Sequence, residues 1–275
     1  MLNISRSFAQ VGACPLVSVV TPSWNGAEFI ERTISSVAAQ SYRNIEYIVV
    51  DGGSTDGTLD IVNKFGATVT NCVSEADRGM YDAINKGIKM TSGDIIAYIN
   101  SDDVYYPGTI EYVVRFFAEN PDVDVVYGDL NFIDKNDRVL FRQSYPSFNR
   151  ASFSTMNYAA IGQPAAFWRR RVHEQIGYFD ISLKMAADFE FFVRAGAVVR
   201  FRHVSKVLSA FRIHPKSMTS RQMDISNREV TEIHRRYLKQ NARLTNALRR
   251  VSGDAWFKFI NLPNWPRRLL SQITL

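Results

Sequence analysis

The run Ile95-Ile96-Ala97-Tyr98-Ile99 passes directly into Asn100-Ser101-Asp102-Asp103. Consecutive residues rich in Ile, Ala and Tyr predict a strand buried on both faces, as in a parallel sheet. Ligands of open α/β sheets sit beyond the carboxyl ends of such strands. Asp102 and Asp103 therefore fall at a ligand crevice, where hard carboxylate oxygens suit Mg²⁺ or Mn²⁺ carrying a diphosphate. Taken alone, the pair also reads as a cap for the next turn and helix.

Residues 17–20 form the first predicted strand, stopped by Pro22 and the loop to Gly26. Over 28–40, Ile30, Ile34, Val37 and Ala38 recur at helical spacing. A second apolar strand, 45–50, ends at Asp51 and the turn Gly52-Gly53-Ser54-Thr55-Asp56-Gly57. A short helix to Phe65 follows, with Asp56 or Thr58 as its cap. A third strand lies near 69–73, and Met80, Ile84 and Ile88 mark a helix face closed by Ser92-Gly93. Strand and helix thus alternate up to Asp103, which predicts a doubly wound parallel sheet with right-handed crossovers. Beyond it come a helix over 107–119 led by Pro107, a strand at 123–127, and hairpin pieces at 130–133 and 139–142. No repeat or low-complexity linker interrupts 17–222, so one domain is expected there, after a tail over 1–16.

The net charge of +6 is not evenly spread. Residues 221–275 hold 11 Lys/Arg against 4 Asp/Glu, so the basicity belongs to the C-terminal segment. A nucleic-acid enzyme should carry its basic footprint around the working face, so nucleic acid is not expected as a partner. Cys14 and Cys72 are too few for a disulfide framework. No signal-peptide core stands at the N-terminus, and no run approaches the ~18 apolar residues of a membrane span. A cytoplasmic protein is expected, soluble or at the inner face of the cytoplasmic membrane.

Three predicted strand ends carry polar groups: Thr21-Pro22-Ser23-Trp24-Asn25, Asp51-Gly52-Gly53-Ser54 and Asn100-Ser101-Asp102-Asp103. Parallel pairing brings all three to one sheet edge. Gly52 and Gly53 permit close backbone approach, and Asp51 can accept hydrogen bonds from a base or ribose. Asp-Gly-Gly-Ser is also a good turn by itself. Glu75-Ala76-Asp77-Arg78-Gly79 precedes a helix bearing Asp82, Asn85 and Lys86. A helix N-terminus beside Arg78 suits phosphate or ribose, although Asp82 and Lys86 also fit an i,i+4 surface pair. Neither a dinucleotide fingerprint nor a phosphate-loop motif is present.

Residues 17–25, 51–58, 75–87 and 100–103 together resemble the family 2 glycosyltransferases, which have the GT-A fold. The resemblance continues through Gly162-Gln163-Pro164-Ala165-Ala166-Phe167-Trp168-Arg169, Gly177-Tyr178-Phe179-Asp180, Ala186-Ala187-Asp188-Phe189-Glu190 and Phe211-Arg212-Ile213-His214. It implies a Rossmann-like, mostly parallel α/β sheet flanked by helices, with a nucleotide-binding half (17–103) and an acceptor half (104–222). It further implies a nucleotide-sugar donor (a UDP-sugar), a divalent metal (Mg²⁺ or Mn²⁺), and inversion at the anomeric carbon. The glycine and aspartate turns look like those of bacterial enzymes that assemble surface or extracellular polysaccharide. A carbohydrate or lipid-linked saccharide is then the acceptor. By the same resemblance, Thr21, Ser23, Asn25, Asp51, Gly52 and Ser54 hold base and ribose. Arg78, Asp82, Asn85, Asn100 and Asp102 face the donor, Asp103 is the direct metal ligand, and His214 a further one. Asp188 matches the catalytic base, with Glu190 second. Many members carry a second Asp where this chain has Gly52, so base contact is made differently here and uridine is less firmly implied.

Without the family pattern, Asp188 reads as a cap for a helix over 189–195, His214 as structural, and Arg169-Arg170-Arg171 as a solvated charge run. The segment 223–275 reads as a basic amphipathic helical extension. It suits an anionic membrane surface, a cap on the domain, or a dimer interface. The membrane helices and Gln-x-x-Arg-Trp motif of processive synthases are absent from this sequence, so transfer of a single sugar is expected. Two other classes stay open: a nucleotidyltransferase making a nucleotide-sugar, and a non-catalytic nucleotide- or carbohydrate-binding module.

Overall fold

Strands β1 (Val17–Ser23), β2 (Ile45–Asp51) and β4 (Ile95–Tyr98) are buried along nearly their whole length. Such unbroken apolar runs belong to strands covered on both faces. In the computed structural model, which describes residues 14–149 and 161–237, they form the centre of a nine-stranded mixed sheet. Its order is β3-β2-β1-β4-β8-β6-β9-β5, with β7 paired to β6 beside that path. The first four neighbours, including β3 (Asn71–Ser74), are all parallel. Helices α1 (Ile30–Ala38), α2 (Thr58–Lys64) and α3 (Met80–Met90) connect them, as the alternating pattern predicts. Asp56 Oδ1 accepts the Thr58 N–H at 3.1 Å, capping α2 from just outside it. α3 lies against β1 and β2. A Cβ on Gly87 would stand 2.4 Å from Val20 Cγ1, so only glycine permits this approach.

β1 is flanked by β2 on one side and β4 on the other, so the chain order reverses between β1 and β4. That switch point is where open α/β sheets leave a crevice.

The second half departs from simple alternation. β5 (Val104–Tyr105) pairs antiparallel with β9 (Phe201–Arg212), and α4 (Thr109–Glu119) begins two residues after Pro107, past Gly108 at φ 74°. β6 (Val125–Ile133) is one nine-residue strand where two were expected. Its start pairs with β8 (Ala166–Arg169), its end with β7 (Val139–Gln143), and β9 runs parallel along its other edge. Gly128 interrupts the apolar pattern but not the strand. A Cβ there would lie 2.5 Å from the Lys206 carbonyl, so glycine is what lets β9 pass. β8 runs antiparallel between β4 and β6, joining the two halves of the sheet.

Of Arg169, Arg170 and Arg171 only the last is exposed, and all three are engaged with the protein. Arg169 donates to the carbonyls of Val123 and Phe117 at 2.8 Å each, and its guanidinium lies 4.7 Å from the Phe117 ring. Arg170 donates to the Gly93 carbonyl at 2.7 Å, and Arg171 pairs with Asp124 at 2.6 Å. Together they lace β8 and helix α5 (Arg171–Ile176) to the loops around them.

Trp168, fully buried, packs among Tyr98, Phe179, Phe191 and Phe192. Its indole N–H donates to His173 Nε2 at 2.9 Å, which leaves His173 Nδ1–H to donate to the Gly177 carbonyl at 3.0 Å. Burial pushes the imidazole down to about 4 from its ordinary 6.5, against the opposing bond to Gly177. A folded-state value below the unfolded one gives stability that is complete above about pH 6.5 and lost as pH falls toward 4. This one residue should remove about 3 kcal/mol across that window. Denaturant titrations at pH 7 and pH 4.5 check it, because His173→Gln should flatten the difference; an equal drop in the variant would assign it to other groups.

The C-terminal extension begins as helix. After α6 (Ala187–Ala195) and α7 (Met218–Arg221), α8 (Met223–Tyr237) buries Val230, Ile233 and His234 and packs on α6. This first part of the extension caps the domain. The rest, with Lys239, Arg243, Arg249 and Arg250, lies outside the described residues, as do 1–13 of the expected tail. Among the described residues no helix is long and apolar enough to cross a membrane.

Candidate active site

Parallel register sets Ser23 opposite Asp51, and Asp51 opposite Ser74, at one edge of the sheet. Asp51 is fully buried. Its carboxylate accepts the Gly53 and Ser54 N–H groups at 3.0 and 2.9 Å and the Ser54 and Ser74 hydroxyls at 2.5 and 2.8 Å. Asn25, at φ 51°, accepts the Thr55 N–H on Oδ1 at 2.9 Å and donates its own N–H to Ser54 Oγ at 2.7 Å. Asp51, Ser54 and Asn25 therefore build and join the two loops. Thr21 is fully buried, its hydroxyl 3.0 Å from Tyr47 Oη. For these four residues the polar groups expected to meet a ligand are engaged within the protein.

At Gly52 the missing side chain lets two other side chains approach the backbone. A Cβ there would stand 2.5 Å from Asp77 Oδ2 and 3.5 Å from Trp24 Cδ1. Trp24 is 69% exposed, a large apolar side chain that the fold leaves in solvent beside a carboxylate. Asp77 is oriented by the Gly79 N–H, which donates to Oδ1 at 2.8 Å. Sequence reading missed both residues. The usable signal was a Trp placed just past a strand end, opposite a position lacking a side chain.

At the start of α3, Asp82 accepts the Arg78 N–H at 3.1 Å and its guanidinium at 3.3 Å. Burial penalises the Asp82 charge, but these bonds and Lys86 outweigh it and hold the carboxyl below its ordinary value. Lys86 sits nearer Glu75, at 2.8 Å, than Asp82, at 3.9 Å. The Arg78 side chain is 73% exposed even though it pairs with Asp82. Asn85 turns elsewhere: its amide exchanges two hydrogen bonds with the Phe179 backbone, at 2.8 and 3.0 Å. It is a clamp between α3 and the loop before α6, with both ends of its amide occupied.

The acidic pair divides in a way its order in sequence does not reveal. Asp103 is fully buried, with Oδ1 accepting the Arg212 N–H at 2.9 Å and Oδ2 facing the Asn100 amide at 3.4 Å. Burial first, and Asp102 second, push its carboxyl well above the ordinary range. A direct-ligand role for Asp103 thus has no open approach. Asp102 retains 28% side-chain exposure, and its Oδ2 lies 2.9 Å from His214 Nε2. Arg212 fixes this turn, donating to the Asp102 carbonyl at 2.7 Å and pairing with Asp137 at 2.7 Å. Next to it, Ser23 Oγ and Asn100 Oδ1 are buried and without a partner among the described residues. A Cβ on Gly26 would meet Ser23 Oγ at 2.7 Å and Ser101 Oγ at 3.0 Å, so glycine keeps that space clear. No group of three His, Cys, Asp or Glu side chains converges among the described residues. Asp102 and His214 can supply two metal donors, with Asn100 Oδ1 as a neighbouring neutral oxygen.

Asp188 stands in the first turn of α6, not at its cap. Its Oδ1 accepts the Phe189 N–H at 2.8 Å and the Tyr81 hydroxyl at 3.1 Å. Burial raises its carboxyl above the ordinary range against those two donors. Glu190 is excluded as the alternative base by its surroundings: Arg194 grips both its oxygens, at 2.9 and 2.8 Å, and Tyr237 donates at 2.5 Å.

A sequence model described as glycosyl transferase family 2 matches residues 18–177. A PGL/p-HBAD biosynthesis glycosyltransferase of Mycobacterium tuberculosis is 30% identical over 209 residues, covering 70% of this chain and 75% of the relative. The solved structure of S. aureus TarS 1-349 in complex with UDP-GlcNAc matches 83% of this chain and 73% of its own, with a TM-score of 0.63 at 21% identity. A longer TarS structure is matched over only 39% of its length. A mannosyltransferase from Pyrobaculum calidifontis, solved with GDP-Man and Mn²⁺, matches 93% of this chain and 73% of its own, with a TM-score of 0.61 at 20% identity. At such identities the solved structures speak for the fold, a GT-A-like mixed α/β sheet, and the relative and family model speak for the chemistry. This chain belongs to glycosyl transferase family 2, and it is a glycosyltransferase rather than a nucleotidyltransferase or a non-catalytic binding module.

Proposed function

We propose that the protein is an inverting, metal-dependent glycosyltransferase that moves one sugar from a nucleoside-diphosphate sugar to an acceptor hydroxyl. The observation that carries this reading is the separation of two carboxylates. Asp102 pairs with His214 at the switch point, while Asp188 stands apart on α6 with a strengthened affinity for protons. The first suits the leaving group, the second the nucleophile.

The nucleobase stacks on Trp24 over Gly52, and Asp77 accepts an N–H from its edge. Ser23 Oγ and Asn100 Oδ1, without a partner among the described residues, are the acceptors offered to donor hydroxyls, and Arg78 faces the phosphates. Asp102 and His214 would hold Mg²⁺ or Mn²⁺, which would supply positive charge to offset the charge gathering on the departing diphosphate. Asp188 takes the proton of the acceptor hydroxyl as that oxygen attacks the anomeric carbon from the face opposite the diphosphate. Single displacement from the opposite face inverts the configuration. UDP-GlcNAc and GDP-Man, the donors bound in the structural neighbours, support a nucleotide-sugar donor, with a UDP-sugar as the first choice. The mycobacterial relative is named for PGL/p-HBAD biosynthesis, and for this chain we infer a carbohydrate or lipid-linked saccharide as the acceptor.

Donor turnover across UDP- and GDP-sugars, with Mg²⁺ or Mn²⁺ and with chelator, tests the reading. One donor class should be consumed only with metal present. Trp24→Ala should raise donor KM about tenfold through loss of one stacking platform. Turnover in chelator with Trp24→Ala unchanged would remove both the metal and the base seat.

A further inference from the structure

Helix α8 returns to the site from the C-terminal side. The Glu229 carboxylate on it accepts three successive backbone N–H groups: Lys184 at 2.7 Å on Oε1, then Met185 and Ala186 at 2.9 Å each on Oε2. Those residues lead directly into α6, whose second residue is Asp188. The residue at the helix N-cap is Ala186, which has no side-chain acceptor of its own. One carboxylate from a helix distant in sequence thus holds the turn that leads into α6, up to the N–H of its N-cap residue. The link has a second branch. The Met185 carbonyl accepts the Tyr81 hydroxyl at 3.2 Å, the same hydroxyl that lies 3.1 Å from Asp188 Oδ1. Fixing Met185 therefore fixes both the turn that presents Asp188 and the tyrosine that orients it.

We propose that Glu229 is a positioning residue for glycosyl transfer, setting the direction of the Asp188 carboxylate through the 184–186 turn. The proposal rests on Asp188 being the base. The arrangement is held in place by the rest of α8: Ile233 is fully buried, His234 lies edge-on to Phe189, Arg236 pairs with Asp180 at 3.0 Å, and Tyr237 donates to Glu190. Among the described residues, three titratable groups face Asp188 from the packed elements: Tyr81 on α3, Tyr98 on β4 and Glu229 on α8. The charge of Glu229 disfavours the ionised form of Asp188 and so keeps it the stronger base.

The test compares Glu229→Ala, Glu229→Gln and Asp188→Asn in the full chain, by kcat, donor KM and the pH dependence of kcat. Glu229→Ala should lower kcat about tenfold or more, the consequence of releasing the 184–186 turn from its shared acceptor, with donor KM unchanged. Glu229→Gln keeps an acceptor oxygen but loses the charge. Its kcat should fall less, and its acid limb should move to lower pH. A passive prop for the fold would not shift that limb. Wild-type kcat and an unmoved limb in Glu229→Gln, beside an inactive Asp188→Asn, would overturn the proposal, and this arm stands even if Glu229→Ala fails to fold. An active Asp188→Asn enzyme would overturn the base assignment and this proposal with it, by a separate observation.

Discussion

Asp188→Asn should lower kcat between about 10²- and 10⁴-fold, the usual contribution of a positioned general base, and leave donor KM close to wild type. The amide is nearly the same size as the carboxylate and can still accept from Tyr81 and Phe189, so the fold and the donor seat remain intact. What disappears is the site for the acceptor's proton. A loss confined to kcat is the mark of a group that acts in the transition state and not in donor binding. The pH profile of the parent enzyme carries the companion signal. As the proposed base Asp188 would work ionised, and burial raises its carboxyl, so activity should rise through an acid limb above the ordinary carboxylate range. Full transfer activity in the variant would exclude Asp188 from proton removal.

The second large effect separates the members of the acidic pair. Asp102→Ala should raise the metal concentration for half-maximal activity by about 10–100-fold at least, since even outer-shell partners of a bound metal are worth that much. Thermal stability should change little, because Asp102 is partly exposed and its pairing with His214 sits at the surface of the crevice. Asp103→Ala should do the opposite. It leaves the buried Arg212 N–H without its acceptor and costs about 1–3 kcal/mol of stability. Metal titrations of activity beside denaturant curves for both variants distinguish the two. If Asp103→Ala keeps wild-type stability and loses metal dependence, the assignment of the pair is reversed.

Much of the first half of the fold was legible because its signals are local. Strands buried on both faces read as unbroken apolar runs, and the helices between them keep a 3.6-residue spacing. The second half answers to contacts between residues far apart. The two residues of β5 have no pattern of their own and exist as a strand because β9 pairs with them. Gly128 lies between the two pieces expected at 123–127 and 130–133, and it is the point where β9 can pass close to β6. The same distinction holds at the site. Positions at strand ends could be listed from sequence, whereas the partner of each side chain could not. Asp103 is withdrawn from the crevice by the N–H of Arg212, Asn85 by the backbone of Phe179, and Glu190 by Arg194 and Tyr237. Thr21, Asn25, Asp51 and Ser54 proved to be the frame of the crevice. Asp188 was named through the family pattern, and spacing alone would have left it a helix cap.

Strand β8 lies between β4 and β6, yet it is made only after β5, α4, β6 and β7. While the chain emerges from the ribosome, the apolar β4 has β1 on one side and nothing on the other. An unpaired strand edge of that kind recruits other chains until it is covered. The open edge of the parallel strands is therefore closed only by a four-residue strand made late in the chain, so the first half of the sheet is completed by the second.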